Sequence, residues 1–237
     1  MAVCGRLGME RYMKVTYIAH SGFIVETDFC YYIFDYYKGE IPMLNKRKKV
    51  LVFCSHAHPD HYNPQIFSLL REQGIEQMTA VLANDIDRRK YPSGDVECVR
   101  VRHDETYELP CDTKLRTLLS TDAGVAFLLT CPEGTIYHAG DLNDWVWEGE
   151  PEQENRQMTG SYRHEIQKLK DIFIDVAFVP LDPRQESYYA AGLRYFLETV
   201  EVGAVYPMHY WNKPKIINQF LTEYPQYQNQ IVTNYEK

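Results

Sequence analysis

The feature that most limits the fold is an unbroken apolar run, Val50-Leu51-Val52-Phe53-Cys54. A half-exposed strand or an amphipathic helix would interrupt such a run with polar positions. It reads as a strand buried on both faces, which needs layers packed above and below it. It ends at Ser55 and opens directly into His56-Ala57-His58-Pro59-Asp60-His61. A covered central strand therefore delivers a dense polar cluster to one edge of the fold.

The rest of the chain is strand-rich with helices in two places. Residues 14–19 and 23–27 flank a His20-Ser21-Gly22 turn, and 30–35 is another β-branched and aromatic run, so the opening reads as a meander. Residues 64–73 have helical spacing with Gly74 as a stop. Strands follow at 80–83, 96–101, 115–120, 125–130 and 135–138. The polar stretch 152–170 is helical in its second half. A strand at 176–180, a helix at 187–200, a strand at 204–208, a helix at 214–221 and a strand at 230–233 close the chain. Two β-rich blocks, each followed by helices, suit an α+β fold in which two mixed sheets pack face to face with helices outside, a four-layer αββα sandwich. The pattern alone does not separate this from other α+β arrangements. The strand pattern begins at Met13, so residues 1–12 read as an appendage and 13–237 as a single domain.

Composition closes off several functions. The net charge of −8 argues against sequence-independent nucleic-acid binding, which needs a basic face. No apolar run approaches the roughly 20 residues of a membrane span, and the first 13 residues lack the apolar core of a secretory signal. A cytoplasmic protein is expected, with no membrane or nucleic-acid partner; a homo-oligomer is compatible with the sequence. Six scattered cysteines without a CxxC pair read as reduced, mostly buried thiols.

The chemistry lies in residues 56–61. Imidazole and carboxylate donors suit Zn²⁺, Mn²⁺ or Fe²⁺. His56 and His58 alternate on an extended segment and can point the same way, while Asp60 and His61 follow in the turn and can serve a second ion. Asp60 or Asn63 could instead cap the following helix, but three histidines bunched after a buried strand are poorly explained by capping.

HxHxDH after such a strand resembles the metallo-β-lactamase-fold hydrolases. Ile136-Tyr137-His138-Ala139-Gly140-Asp141 resembles the strand and Gly-Asp motif whose Asp bridges two metals. Pro207-Met208-His209-Tyr210 resembles the late His that completes the second site. His20-Ser21-Gly22-Phe23-Ile24-Val25-Glu26 resembles the opening hairpin of the branch that includes ascorbate-6-phosphate lactonase. These marks follow the family's order from His20 to His209. The resemblance implies the αββα sandwich and metal-dependent hydrolysis of a small lactone, ester or phosphodiester. It also implies a metal-bound hydroxide at a dinuclear site.

One departure stands out. The family's His between the first motif and the bridging Asp is missing from Leu118-Leu119-Ser120-Thr121-Asp122-Ala123-Gly124-Val125. Asp122 can take its place, or can belong to an ordinary turn; His103 is a weaker rival in a charged loop. The resemblance then implies His56, His58 and Asp122 on metal one, with Asp60, His61 and His209 on metal two and Asp141 between them. Asp60 and Asp141 are the catalytic candidates, Asp60 as proton acceptor if one ion is bound. Two zinc ions are expected, with Mn²⁺ or Fe²⁺ as alternatives. His20, Trp145, Asp182, Arg184 and Tyr210 are candidate substrate contacts, Arg184 for an anionic group and Asp182 also as a partner orienting a ligand His. A member of the fold that only binds a metal or ligand, and a nuclease-type phosphodiesterase, remain as alternatives.

Overall fold

Twelve strands and four helices build the fold in the computed structural model, which describes residues 12–233. The first six strands are β1 (Lys14–Ala19), β2 (Gly22–Glu26), β3 (Cys30–Phe34), β4 (Lys49–Cys54), β5 (Met78–Ala83) and β6 (Glu97–Val101), with helix α1 (Gln65–Glu72) between β4 and β5. They form one sheet in chain order, β1 to β3 antiparallel and β3 to β6 parallel. The second six are β7 (Thr106–Leu109), β8 (Thr113–Leu119), β9 (Val125–Cys131), β10 (Gly134–His138), β11 (Ile174–Pro180) and β12 (Val202–Met208). Their sheet also runs in chain order, antiparallel from β7 to β10 and parallel from β10 to β12. Helix α2 (Glu152–Gln167) and α3 (Ala191–Thr199) make the two parallel crossovers, and α4 (Lys215–Glu223) follows β12. This is the αββα sandwich.

The predicted central strand is β4, buried from Val50 to Cys54. The inner faces of the sheets meet through Phe23, Phe34, Phe53, Phe127 and Phe178, all fully buried. Their rings lie close together, Phe23–Phe178 at 4.4 Å and Phe53–Phe127 at 5.3 Å between centroids. Each such side chain removed from water contributes about 1.5–3 kcal/mol. His138 is part of this layer, stacked on Phe34 at 4.9 Å. Its Nδ1 accepts from the Gly140 N–H (3.1 Å) and its Nε2 donates to the Ser21 carbonyl (2.9 Å), which ties β10 to the β1–β2 turn.

At one edge the sheets come nearer than side chains allow. Gly124 sits at φ +66°, and a Cβ there would lie 1.9 Å from the Ser55 carbonyl oxygen; one on Gly140, at φ +53°, would lie 2.7 Å from the Ser55 Cβ. Only glycine fits both places. The approach lets the Val125 N–H bond the Ser55 carbonyl across the sheets at 2.9 Å.

Several expectations are corrected. Helix α2 spans its whole length rather than its second half. Only that half carries its buried residues, Tyr162, Glu165 and Ile166, so the first half shows no apolar periodicity to read. Helix α3 starts at Ala191, after a short 3-10 stretch, Pro183–Tyr188, begun by Asp182. β7 is an addition to the expected strands: only four residues long, it alternates between exposed Thr106 and Glu108 and the more buried Tyr107 and Leu109. Residues 230–233 contribute only one bridge, Val205 to Ile231. Cys30 and Cys111, expected as thiols, form a disulfide across 81 residues of sequence, with Cα atoms 6.6 Å apart. It joins the start of β3 to the β7–β8 turn, two places that only the folded sandwich brings together. Cys54, Cys98 and Cys131 are free. The appendage expected at 1–12 lies, but for Tyr12, outside the described residues. Among those described, no helix is long and apolar enough to cross a membrane.

Candidate metal centre

All the strands that carry site residues end at the same edge. His20 follows β1, Asp35 follows β3, the 56–61 loop follows β4, Asp122 lies between β8 and β9, and Asp141, Asp182 and His209 follow β10, β11 and β12. His20, Asp35 and His209 leave their strands at φ +54°, +42° and +64°. Side chains other than glycine rarely adopt this region, at a cost of order 1–3 kcal/mol each. The turns at this edge are shaped for where the side chains point.

Asp35 is the hidden anchor. It is fully buried. Its carboxylate accepts from the Ser55 N–H (2.8 Å), the Ser55 hydroxyl (2.6 Å) and His61 Nδ1 (2.7 Å). Having given its proton to Asp35, the Ser55 hydroxyl accepts from His56 Nδ1 at 2.9 Å. On the other sheet, Asp182 is also fully buried and accepts from His209 Nδ1 at 2.9 Å. Three imidazoles thus donate from Nδ1 into fixed acceptors. That sets their tautomers and turns Nε2 toward the centre.

The Nε2 atoms converge on Asp141. Its Oδ1 lies 3.1 Å from His61 Nε2 and 3.4 Å from His209 Nε2, while its Oδ2 lies 3.4 Å from His56 Nε2. Two donor groups result, each with ligand atoms within 4.8 Å of one another: His20, Asp60, His61 and His209; and His56, His58 and Asp141. His20 Nε2, His56 Nε2, His61 Nε2 and Asp141 Oδ1 are buried without a hydrogen-bond partner among the described residues. Buried polar atoms are normally paired. Four unpaired ones of this chemistry in one cluster fit divalent metal ions.

The electrostatics agree. Burial alone pushes the His61 imidazole down, but the carboxylates of Asp141 and Asp35 outweigh it and hold it well above its usual value. Burial, then the charge of His61, bring His56 down to about 4. Burial pushes Asp141 up, yet His61, His209 and His56 hold it well below the usual carboxylate range. The neighbouring His20 does the same for Asp60. For Asp122, burial and the Asp141 charge act together and raise it.

Asp122 comes to the centre but stands at its rim. Its Oδ2 is 3.7 Å from His58 Nδ1, and both side chains are about half exposed, 48% and 51%. His103 pairs with its neighbour Asp104 on the surface. Trp145, largely buried, donates from Nε1 to the Asp141 carbonyl (2.8 Å) and stacks on Trp147 with centroids 6.0 Å apart. The loop carrying them is held by Gln185, which donates to the carbonyls of Asp144 and Val146 and accepts from Asn143. Arg184 binds Asp182 through Nε (2.9 Å) and Nη2 (2.5 Å), and its guanidinium lies 4.5 Å from the Trp211 ring centroid and 5.9 Å from that of Trp147. Asp122, Asp141, Trp145, Trp147, Arg184 and His209 line a cavity of about 220 Å³. A groove of about 850 Å³ shares Thr121 and Met158 with it. Tyr210 is buried with its ring against Tyr17, centroids 6.0 Å apart, and is not part of that cavity wall. Nor is His20.

Asp35, Ser55 and Gln185 were not singled out from the sequence. Asp35 carried one signal, a lone carboxylate ending an apolar strand run; Ser55 and Gln185 carried none.

A two-sheet sandwich whose edge gathers histidines and aspartates into two adjoining donor groups has the form of a metalloprotein. Residues 14–156, more than half of the chain, match the Beta-lactamase superfamily domain. The chain is 28% identical over 224 residues to a "UPF0173 metal-dependent hydrolase" of Opitutus terrae, covering 86% of this chain and 87% of that one. It shares its fold with Igni18, described as a metallo hydrolase, from Ignicoccus hospitalis. The TM-score is 0.60 at 17% identity, covering 94% and 95% of the two chains. It also shares it with CmlA, a diiron beta-hydroxylase from Streptomyces venezuelae, with a TM-score of 0.62 at 11% identity over 97% of this chain and 54% of that one. The protein belongs to the metallo-β-lactamase superfamily of metal-dependent hydrolases.

Proposed function

We propose that the protein hydrolyses a small anionic lactone, ester or phosphodiester with two divalent ions, zinc first and manganese or iron as alternatives. The observation that carries this reading is the cluster of four unpartnered buried donor atoms around Asp141. His56, His58 and Asp122 would hold one ion, Asp60, His61 and His209 the other, and Asp141 both. Bound ions supply Lewis acidity and bring the pKa of water toward neutrality.

The remaining work falls to the chain. Asp35, Ser55 and Asp182 fix three imidazoles by their Nδ1 protons, so the donor geometry is set before any ligand arrives. Trp145 and Trp147 wall the cavity and keep water from one side of it. Arg184 lines the same cavity as Asp141, so a small substrate that reaches one also meets the other. Its guanidinium is held on Asp182 through Nε and Nη2 and flanked by two indoles, which leaves its remaining Nη N–H groups to donate to a phosphate or carboxylate.

The test is reconstitution with zinc or manganese, metal analysis, and a screen of chromogenic phosphodiesters, lactones and carboxyl esters. Two metals per chain, with turnover that Asp141→Ala removes, supports the reading. Less than one metal and no turnover would replace it with a non-catalytic binding role, the alternative favoured by the exposed, His-poor position of Asp122. Tight, salt-sensitive RNA binding would point to a nuclease instead.

A further inference from the structure

We infer that His20 is itself a metal ligand and that the group it joins, with Asp60, His61, His209 and the facing Asp141, takes the first ion. This rests on the metal-centre reading above and extends it to a residue outside the ligand set which the sequence implied.

The backbone around His20 is built to place this ring. The residue stands at φ +54° in the β1–β2 turn. Its N–H donates to the Tyr17 hydroxyl at 2.9 Å, and its carbonyl accepts from the His209 N–H at 3.4 Å. The turn is thus tied to the end of β12, and the rings of His20 and His209 lie 4.1 Å apart. Trp211 packs against the His20 ring at 4.5 Å. The side chain is 6% exposed, and its Nε2 has no hydrogen-bond partner among the described residues. That atom lies within 4.8 Å of donor atoms on Asp60, His61 and His209.

Two other roles fit less well. As an orienting group for Asp60, His20 would be expected to make a hydrogen bond. Its Nε2 instead stands 3.4 Å from Asp60 Oδ2, close enough to hold that carboxyl ionised but outside good hydrogen-bond geometry. As a substrate contact it would line the cavity, which it does not. A nitrogen that is buried, unpaired and aimed at three other donors is accounted for by an ion.

The two donor groups are then unequal. One has His20, His61 and His209, all nearly buried, with Asp60 and one oxygen of Asp141. The other has His56, His58 and Asp141, and its His58 is half exposed. More donors and less mobility favour the first group.

The experiment titrates cobalt into metal-free wild type, His20→Ala, His20→Gln and His58→Ala, followed by visible absorption and by the paramagnetically shifted imidazole resonances at one equivalent. Thermal midpoints and near-UV circular dichroism of the metal-free forms check folding. In wild type the first equivalent should show three shifted imidazoles. His20→Ala and His20→Gln should both weaken that equivalent about 100-fold, the upper end of what loss of a ligand's supporting partner costs, and lose one imidazole signal. His58→Ala should leave it unchanged. Glutamine keeps a donor for Asp60, so recovery of affinity in His20→Gln would overturn the inference in favour of hydrogen bonding. Wild-type affinity in His20→Ala would also overturn it. Wild type that binds no cobalt would instead remove the metal-centre reading itself.

Discussion

The two halves of the centre are built differently from the same residue types. On the half with His61 and His209, each imidazole is buried and braced by a buried carboxylate, Asp35 or Asp182. On the other half, His56 is braced by Ser55, but His58 has only Asp122 nearby, 3.7 Å away, and both are half exposed. The difference teaches where rigidity comes from. A ligand's own position in sequence says little; the partner on its far nitrogen, supplied from another strand, decides whether it is fixed. The tight half is assembled from both sheets, by Asp35 from the first and by Asp182 from the second.

Breaking both halves at once should have the largest effect. Asp141→Ala removes the only carboxylate among the described residues that faces His56, His61 and His209 together. Metal content measured after dialysis should fall below one ion per chain, and turnover should drop below detection.

A smaller change should separate the halves. Asp182→Asn removes a charged acceptor from His209 Nδ1 without opening a cavity. The tighter ion should weaken by about 10–100-fold, as for other partners of ligating histidines, while the weaker one keeps its affinity. Competitive chelator titration reads both. Equal weakening of the two would erase the distinction drawn between them.

The smallest effect is one of pH. Without metal, His61 lies between Asp35 and Asp141 with its pKa held well above the usual value, so at pH 7 it carries a proton that an ion must expel. Affinity of the buried half should therefore rise about tenfold per pH unit around pH 7. His56, at about 4, is already neutral there, so the exposed half should show no comparable slope above about pH 6. Calorimetry in buffers of different ionisation enthalpy counts the protons released.

Much of this was legible in the sequence. The strand at 50–54 and the cluster at 56–61 declare themselves by local pattern, an apolar run ending in polar residues at a strand end, whereas Asp141 and His209 stand out only through the family resemblance. The resemblance supplied the order of the metal motifs. What escaped depends on contacts between distant strands. Asp35 and Ser55 matter because β3 and β4 lie side by side, and Gln185 because the loop after β11 packs on the one after β10. The Cys30–Cys111 disulfide is hidden for the same reason. β7 escapes on other grounds: it alternates, but over only four residues inside a charged stretch, too short a run to stand out. His20 reads from the sequence only as a candidate substrate contact, since a turn histidine shows nothing of its burial until the turn is folded onto β12.

The measurement that tests the central claim most directly is anomalous scattering at the zinc edge from crystals loaded with about one, then two, equivalents of zinc. One equivalent should give a single peak bounded by His20, Asp60, His61, His209 and Asp141. The second should add a weaker peak beside His56 and His58. A first peak on the His58 side, or no peak near Asp141 at either loading, would contradict the account.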